Sequence, residues 1–326
     1  MTKAILHLGY PKTGTTYLQE KIFVQASNGM VVVSPTFENC GINIKSFKRQ
    51  VSGGQVGADS RRKVLSRPLL LSIEGFVFDA LRFVVGNSFC PADFPLALKG
   101  LKSLCSDLKP EDIAIVLCIR RQDQLIHSLY AESYTYQFQW VPEFDTFEKY
   151  VDAVMNPANS PQDPGYYFDF SRTIAEIRAQ FPGSPIHIRS YENLVRNPEA
   201  EMTFWSEITG FEFTHIKTHA NVRSAAPNTK VADKQGLRVH AVRLKTRYFS
   251  DLKLPNFLSR FMKQALSRMN VGEADKIELT DEMRKRLQAH FAPINEQFIR
   301  QESLLAPQYL AANVSVELQQ IDWVRL

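Results

Sequence analysis

The chain opens with an apolar run, Ala4-Ile5-Leu6-His7-Leu8, which breaks into Gly9-Tyr10-Pro11-Lys12-Thr13-Gly14-Thr15-Thr16 and resumes as a helical pattern to Phe23. No other stretch restricts the fold so strongly. An apolar strand, a two-glycine loop and a helix form the opening unit of a parallel α/β sheet. The glycines have the spacing of the phosphate loop G-x-x-x-x-G-K-[ST], but Thr15 stands where that pattern has lysine and the loop's lysine is Lys12. Backbone N–H groups of such a loop and of the helix start point at one anion, which unpaired donors and the helix dipole both favour. Gly14 lets the backbone approach closely, Thr15 and Thr16 add hydroxyls, and Lys12 adds a mobile positive charge. The displaced lysine fits a nucleotide phosphate and argues against handling a γ-phosphate. The competing reading is a turn that merely closes a strand–helix unit.

Three further segments bear on the choice. Ile113 to Ile119 is a continuous apolar run rich in β-branched residues, the pattern of a buried parallel strand. It ends at Arg120, and Ser128 follows eight residues later in a helical stretch. A strand-end arginine offers a planar fork to phosphate oxygens, and a serine two helical turns on can donate to the same group. Pro185 to Asn193 alternates and runs into Tyr191-Glu192-Asn193-Leu194. Leu69-Leu70-Leu71-Ser72-Ile73 ends in Glu74-Gly75, placing a carboxylate where ligands of parallel sheets sit. Taken singly, each residue has a plainer role: a surface charge for Arg120, a solvated helix position for Ser128, a packed tyrosine for Tyr191, a helix cap or surface acid for Glu74.

Together these segments resemble the sulfotransferases that use 3′-phosphoadenosine 5′-phosphosulfate (PAPS), whose 5′-phosphosulfate loop reads Pro-Lys-Ser/Thr-Gly-Thr-Thr. The resemblance implies a P-loop-type parallel β-sheet flanked by helices, with a largely helical C-terminal part. It implies that Lys12, Thr13, Gly14, Thr15, Thr16 and Tyr17 meet the 5′ end of the donor, that Arg120 and Ser128 hold its 3′-phosphate, and that Tyr191 lies near the adenine. Glu74 is then the general base, as in the Golgi heparan-type branch and many bacterial relatives; the cytosolic branch uses histidine. Asn221-Val222-Arg223-Ser224 is similar to a late loop of bacterial relatives, which assigns Arg223 to the 3′-phosphate. Departures from the cytosolic branch are Tyr17, where it has tryptophan, and the absence of its Arg-Lys-Gly triplet; Arg284-Lys285-Arg286 has no glycine. The motifs span roughly residues 3–225. One domain over 1–326 is expected, its core at about 3–225 and a helical extension from about 230.

Other features narrow the reading. The histidines compete poorly as bases: His7 sits inside the first strand, and His127 points about 100° away from Ser128 around a helix. No histidine pair has metal-ligand spacing, and Cys40, Cys90, Cys105 and Cys118 form no C-x-x-C, so no metal is expected. With 326 residues and 44% hydrophobic content, the chain can bury one large core. A net charge of +5 is mild and dispersed, which suits an anionic donor and argues against nucleic acid. The first strand follows Met1 closely and no apolar run is long enough to cross a membrane, so a cytoplasmic, bacterial-type protein with free thiols is expected. Residues 39–67 and 140–167 read as loops or acceptor-shaping flaps. The acceptor expected is a hydroxylated small molecule or glycan. The alternatives are a P-loop small-molecule kinase, which lacks its lysine after Gly14, and a non-catalytic nucleotide-binding protein of the same fold.

Overall fold

The computed structural model describes residues 3–72, 84–85, 88–89, 94–134, 143–156, 165–216 and 277–305. Five parallel strands form the central sheet: β1 (Ala4–Gly9), β2 (Val31–Val33), β3 (Leu69–Ser72), β6 (Ile113–Ile119) and β7 (Ile186–Ser190), in the order β2-β3-β1-β6-β7. A separate antiparallel pair, β4 (Val84–Val85) and β5 (Ser88–Phe89), lies between β3 and β6 in sequence. β1 is central, with Ala4 opposite both Leu69 and Ile113. The chain leaves β1 toward β2 on one side and β6 toward β7 on the other. The order therefore reverses between β1 and β6, and ligands of open α/β sheets bind beyond the strand ends at such a point.

Alternation along the strands sends residues to two apolar layers. Ala4, Leu6 and Leu8 join Ile113, Ile115 and Leu117 in one core; Ile5 joins Val32, Leu70, Ala114 and Val116 in the other. Every residue of β1 and β6 is buried, as a sheet covered on both faces requires. The segment after β1 is helical in three successive forms: α1 (Thr15–Tyr17), a π-helical turn (Leu18–Ile22) and a 3₁₀ stretch (Phe23–Asn28).

The polar stretch 39–67, expected to be a loop or flap, instead holds α2 (Ile44–Ser52) and α3 (Ala58–Val64). Five of its apolar residues, Ile42, Phe47, Val51, Val56 and Val64, enter the core, and Phe47, Val51 and Val64 do so from a helix. The α2 helix packs tightly on α4 (Phe94–Leu104): a Cβ at Gly100 would stand 2.0 Å from the Val51 carbonyl oxygen. The spacing of Ile44, Phe47 and Val51 at i, i+3 and i+7 is helical, so the signal for α2 was present in the sequence.

The remaining helices are α5 (Gln122–Ser133), α6 (Phe147–Met155), α7 (Phe170–Gln180), α8 (Tyr191–Arg196), α9 (Pro198–Thr209) and α10 (Asp281–Leu305). Four of these starts carry side-chain caps, Thr146 on α6, Asp169 on α7, Ser190 on α8 and Asn197 on α9, whereas α5 starts without one. The α10 helix lies in the C-terminal part that was expected to be helical. It buries Leu287, Phe291 and Phe298 on one side, and Asn295 exchanges two hydrogen bonds with Gln122 at the start of α5, at 2.7 and 3.2 Å. No helix among the described residues is long and apolar enough to cross a membrane.

Candidate active site

The loop between β1 and α1 turns on two left-handed residues. Gly14 has φ +78°, and Lys12 has φ +68°, a conformation that costs a side-chain-bearing residue on the order of 1–3 kcal/mol. The surroundings hold it there: Arg120 Nη1 donates to the Lys12 carbonyl at 3.0 Å, and the Thr13 hydroxyl donates to the Tyr10 carbonyl at 2.6 Å. The Thr13 hydroxyl is therefore spent inside the loop. Thr15 is buried against Gly9, where a Cβ would stand 2.3 Å from its methyl carbon. The first helical hydrogen bond runs from the Leu18 N–H to the Gly14 carbonyl at 3.2 Å. The N–H groups of Thr15, Thr16 and Tyr17 thus have no partner within the helix, and Gly14 has no side chain to cap them.

Arg120 leaves the end of β6 beside this loop. Its Nη2 donates to Gln124 Oε1 at 3.2 Å, and its guanidinium carbon lies 4.5 Å from the centre of the Tyr191 ring. Its Nε is buried with no hydrogen-bond partner. Burial pulls the guanidinium pKa down from its ordinary value, although an arginine stays charged at neutral pH. Tyr191 also touches the loop, because a Cβ on Gly14 would meet its ring at 3.3 Å. The loop, Arg120 and Tyr191 therefore form one contiguous group across β1, β6 and the end of β7.

Ser128 enters through helix geometry. Gln124, Ser128 and Glu132 are spaced by four residues and share one side of α5. Gln124 touches Arg120, and Glu132 Oε1 lies 2.6 Å from Lys12 Nζ. Half-buried Ser128 stands between them on that side. His127 points elsewhere, with Nε2 3.1 Å from the Ile277 carbonyl oxygen and its ring against Phe147. Tyr17 donates its hydroxyl to the Ile216 carbonyl at 3.2 Å. Glu74 and Arg223 lie outside the described residues; β3 is described to Ser72, which pairs with His7 of β1.

His7 is a core residue, as its place in the strand implied. Its Nδ1 is 2.6 Å from Ser72 Oγ and its Nε2 3.1 Å from Cys118 Sγ, between the rings of Phe23 and Trp205. Burial pushes its pKa down to about 3, so it is neutral at working pH. Gln19 completes the group by donating to Ser72 Oγ at 3.0 Å. Among the described residues no cluster of three or more His, Cys, Asp or Glu side chains could hold a metal ion.

Gln124 and Glu132 escaped sequence reasoning, although the signal was present: counting in fours from Arg120 passes through both and through Ser128. Glu192 escaped too; it accepts the Arg121 N–H at 3.0 Å and joins the start of α8 to the start of α5.

A family model described as "Sulfotransferase domain" matches residues 2–301, so the match runs well past the motifs and through most of α10. No curated protein matches the chain.

Proposed function

The chain belongs to the sulfotransferase family, and we propose that it transfers a sulfuryl group from 3′-phosphoadenosine 5′-phosphosulfate to a hydroxyl of a carbohydrate or glycolipid acceptor. The observation that carries the donor assignment is Arg120. Its buried Nε has no partner, and its Nη atoms donate only to neutral oxygens, with the Glu192 and Asp123 carboxylates acting on it without a hydrogen bond. A phosphate brings the missing acceptors and charge. Ser128 supplies a hydroxyl on the adjoining side of α5, Tyr191 offers an aromatic face, and the N–H groups of Thr15, Thr16 and Tyr17 await an anion at the loop.

Bound at these residues, the donor supplies the sulfuryl group. Glu74 takes the proton of the acceptor hydroxyl as its oxygen bonds to sulfur and the bond from sulfur to the phosphate oxygen breaks. Lys12 places its ammonium at the phosphate oxygen that gains negative charge, which stabilises the transition state electrostatically. The bisphosphate departs. No metal is required in this scheme. The acceptor assignment rests on the resemblance to glutamate-based relatives. The folded unit proposed is a single domain comprising the strand core and the helical C-terminal part.

Calorimetric titration tests this reading, with adenosine 3′,5′-bisphosphate in one arm and ATP with magnesium in the other. Bisphosphate binding is expected, and Glu74→Gln should retain it while losing turnover. Binding of ATP alone would discard the donor assignment in favour of a kinase.

A further inference from the structure

Lys12, the residue proposed to meet the phosphosulfate, already has an anionic partner in the Glu132 carboxylate at 2.6 Å. We propose that Glu132 is a placeholder anion: it holds the Lys12 ammonium against α5, yields it to the phosphosulfate, and so sets how tightly donor and bisphosphate product are held. This rests on the donor reading above.

Local helix energetics do not explain a carboxylate at this position. Glu132 lies in the last turn of α5, where the negative end of the helix dipole disfavours an acid and no basic side chain of the helix offsets it. Its compensating charge comes from Lys12, across the mouth of the loop. The Lys12 backbone is anchored through its carbonyl to Arg120. The ammonium can therefore pass from carboxylate to bound anion by side-chain rotation alone, with no change in the loop. Side-chain exposures of 29% for Lys12 and 40% for Glu132 let water receive the released carboxylate, which keeps the exchange reversible. A carboxylate this close to the site also opposes the incoming anion.

The test is a double-mutant cycle read by titration of adenosine 3′,5′-bisphosphate into the wild type, Glu132→Gln, Lys12→Met and the double variant. Glu132→Gln is expected to bind the bisphosphate about threefold to fivefold more tightly at low salt. The gain should shrink as salt screens the carboxylate, and it should be clearly smaller in the Lys12→Met background, where only the direct repulsion remains. The inhibition constant of the bisphosphate in turnover should fall by the same factor. A purely structural role would not produce this dependence on Lys12. Weaker or unchanged binding by Glu132→Gln, or an equal change in both backgrounds, overturns the proposal. Should Glu132→Gln fail to fold, Glu132→Ala serves in its place with the same expectation. Failure of the wild type to bind the bisphosphate overturns the donor reading itself, and that arm distinguishes the two failures.

Discussion

Arg120 and Arg121 are neighbours in sequence and opposites in environment. Arg121 is 3% exposed and grips Asp123 through Nε at 2.6 Å and Nη2 at 3.0 Å. Its charge is satisfied within the protein. Arg120 is stacked on Tyr191, bonded to a carbonyl and an amide oxygen, and keeps a buried Nε without a partner. Arg189 repeats the first pattern: it is paired to Glu201, which also accepts the Trp205 indole N–H. A buried guanidinium matched to a carboxylate belongs to the architecture, whereas one left with an open donor at a strand end suits the anion proposed for it.

The sharpest contrast should come from Arg121→Ala, which leaves Asp123 buried and uncompensated and is expected to cost about 3–5 kcal/mol in urea unfolding. Lys12→Ala should change unfolding little but lower kcat by about 10²–10³, the loss typical of removing one preplaced electrostatic group; unchanged sulfuryl transfer would sink the role given to Lys12. Arg120→Ala is expected to weaken bisphosphate binding roughly 10- to 100-fold, the equivalent of a lost charged hydrogen bond. Its unfolding free energy should shift far less than that of Arg121→Ala. Equal destabilisation by the two alanine variants would erase the distinction between them.

A smaller effect concerns His7. The unfolded chain protonates this imidazole below its ordinary 6.5, whereas the folded chain does so only near 3. Stability from this group is therefore fully present above pH 6.5 and is lost as pH falls toward 3. At pH 5 the loss is about 2 kcal/mol. Urea unfolding at pH 7 and pH 5, compared between the wild type and His7→Gln, measures it, and an identical pH slope in both proteins would remove His7 as the cause.

Four of the five strands of the sheet were readable because their signals are local, whereas the three-residue β2 was not read. Strands buried on both faces must be continuous apolar runs, and Ala4–Leu8, Leu69–Ser72 and Ile113–Ile119 are such runs. The ends of α9 are likewise local: Asn197 before Pro198 caps its start and left-handed Gly210 follows Thr209 at its end, and both act on adjacent backbone. The helices at 44–64 were passed over because both are short and set in a polar stretch, although Ile44, Phe47 and Val51 have helical spacing; packing on α4 is what fixes the buried side.

At the site, the loop between two glycines singled out Lys12, and the resemblance to PAPS-dependent sulfotransferases singled out Arg120, Ser128 and Tyr191, because both rest on short-range motifs. Their partners were another matter. That Arg120 clasps the Lys12 carbonyl, that Glu132 holds the lysine, and that Arg121 turns inward while Arg120 stays open all follow from how β6 and α5 lie against the loop after β1. Residues 108 and 120 positions apart meet there. No local pattern encodes such meetings, because the sheet order and the helix packing bring those segments together.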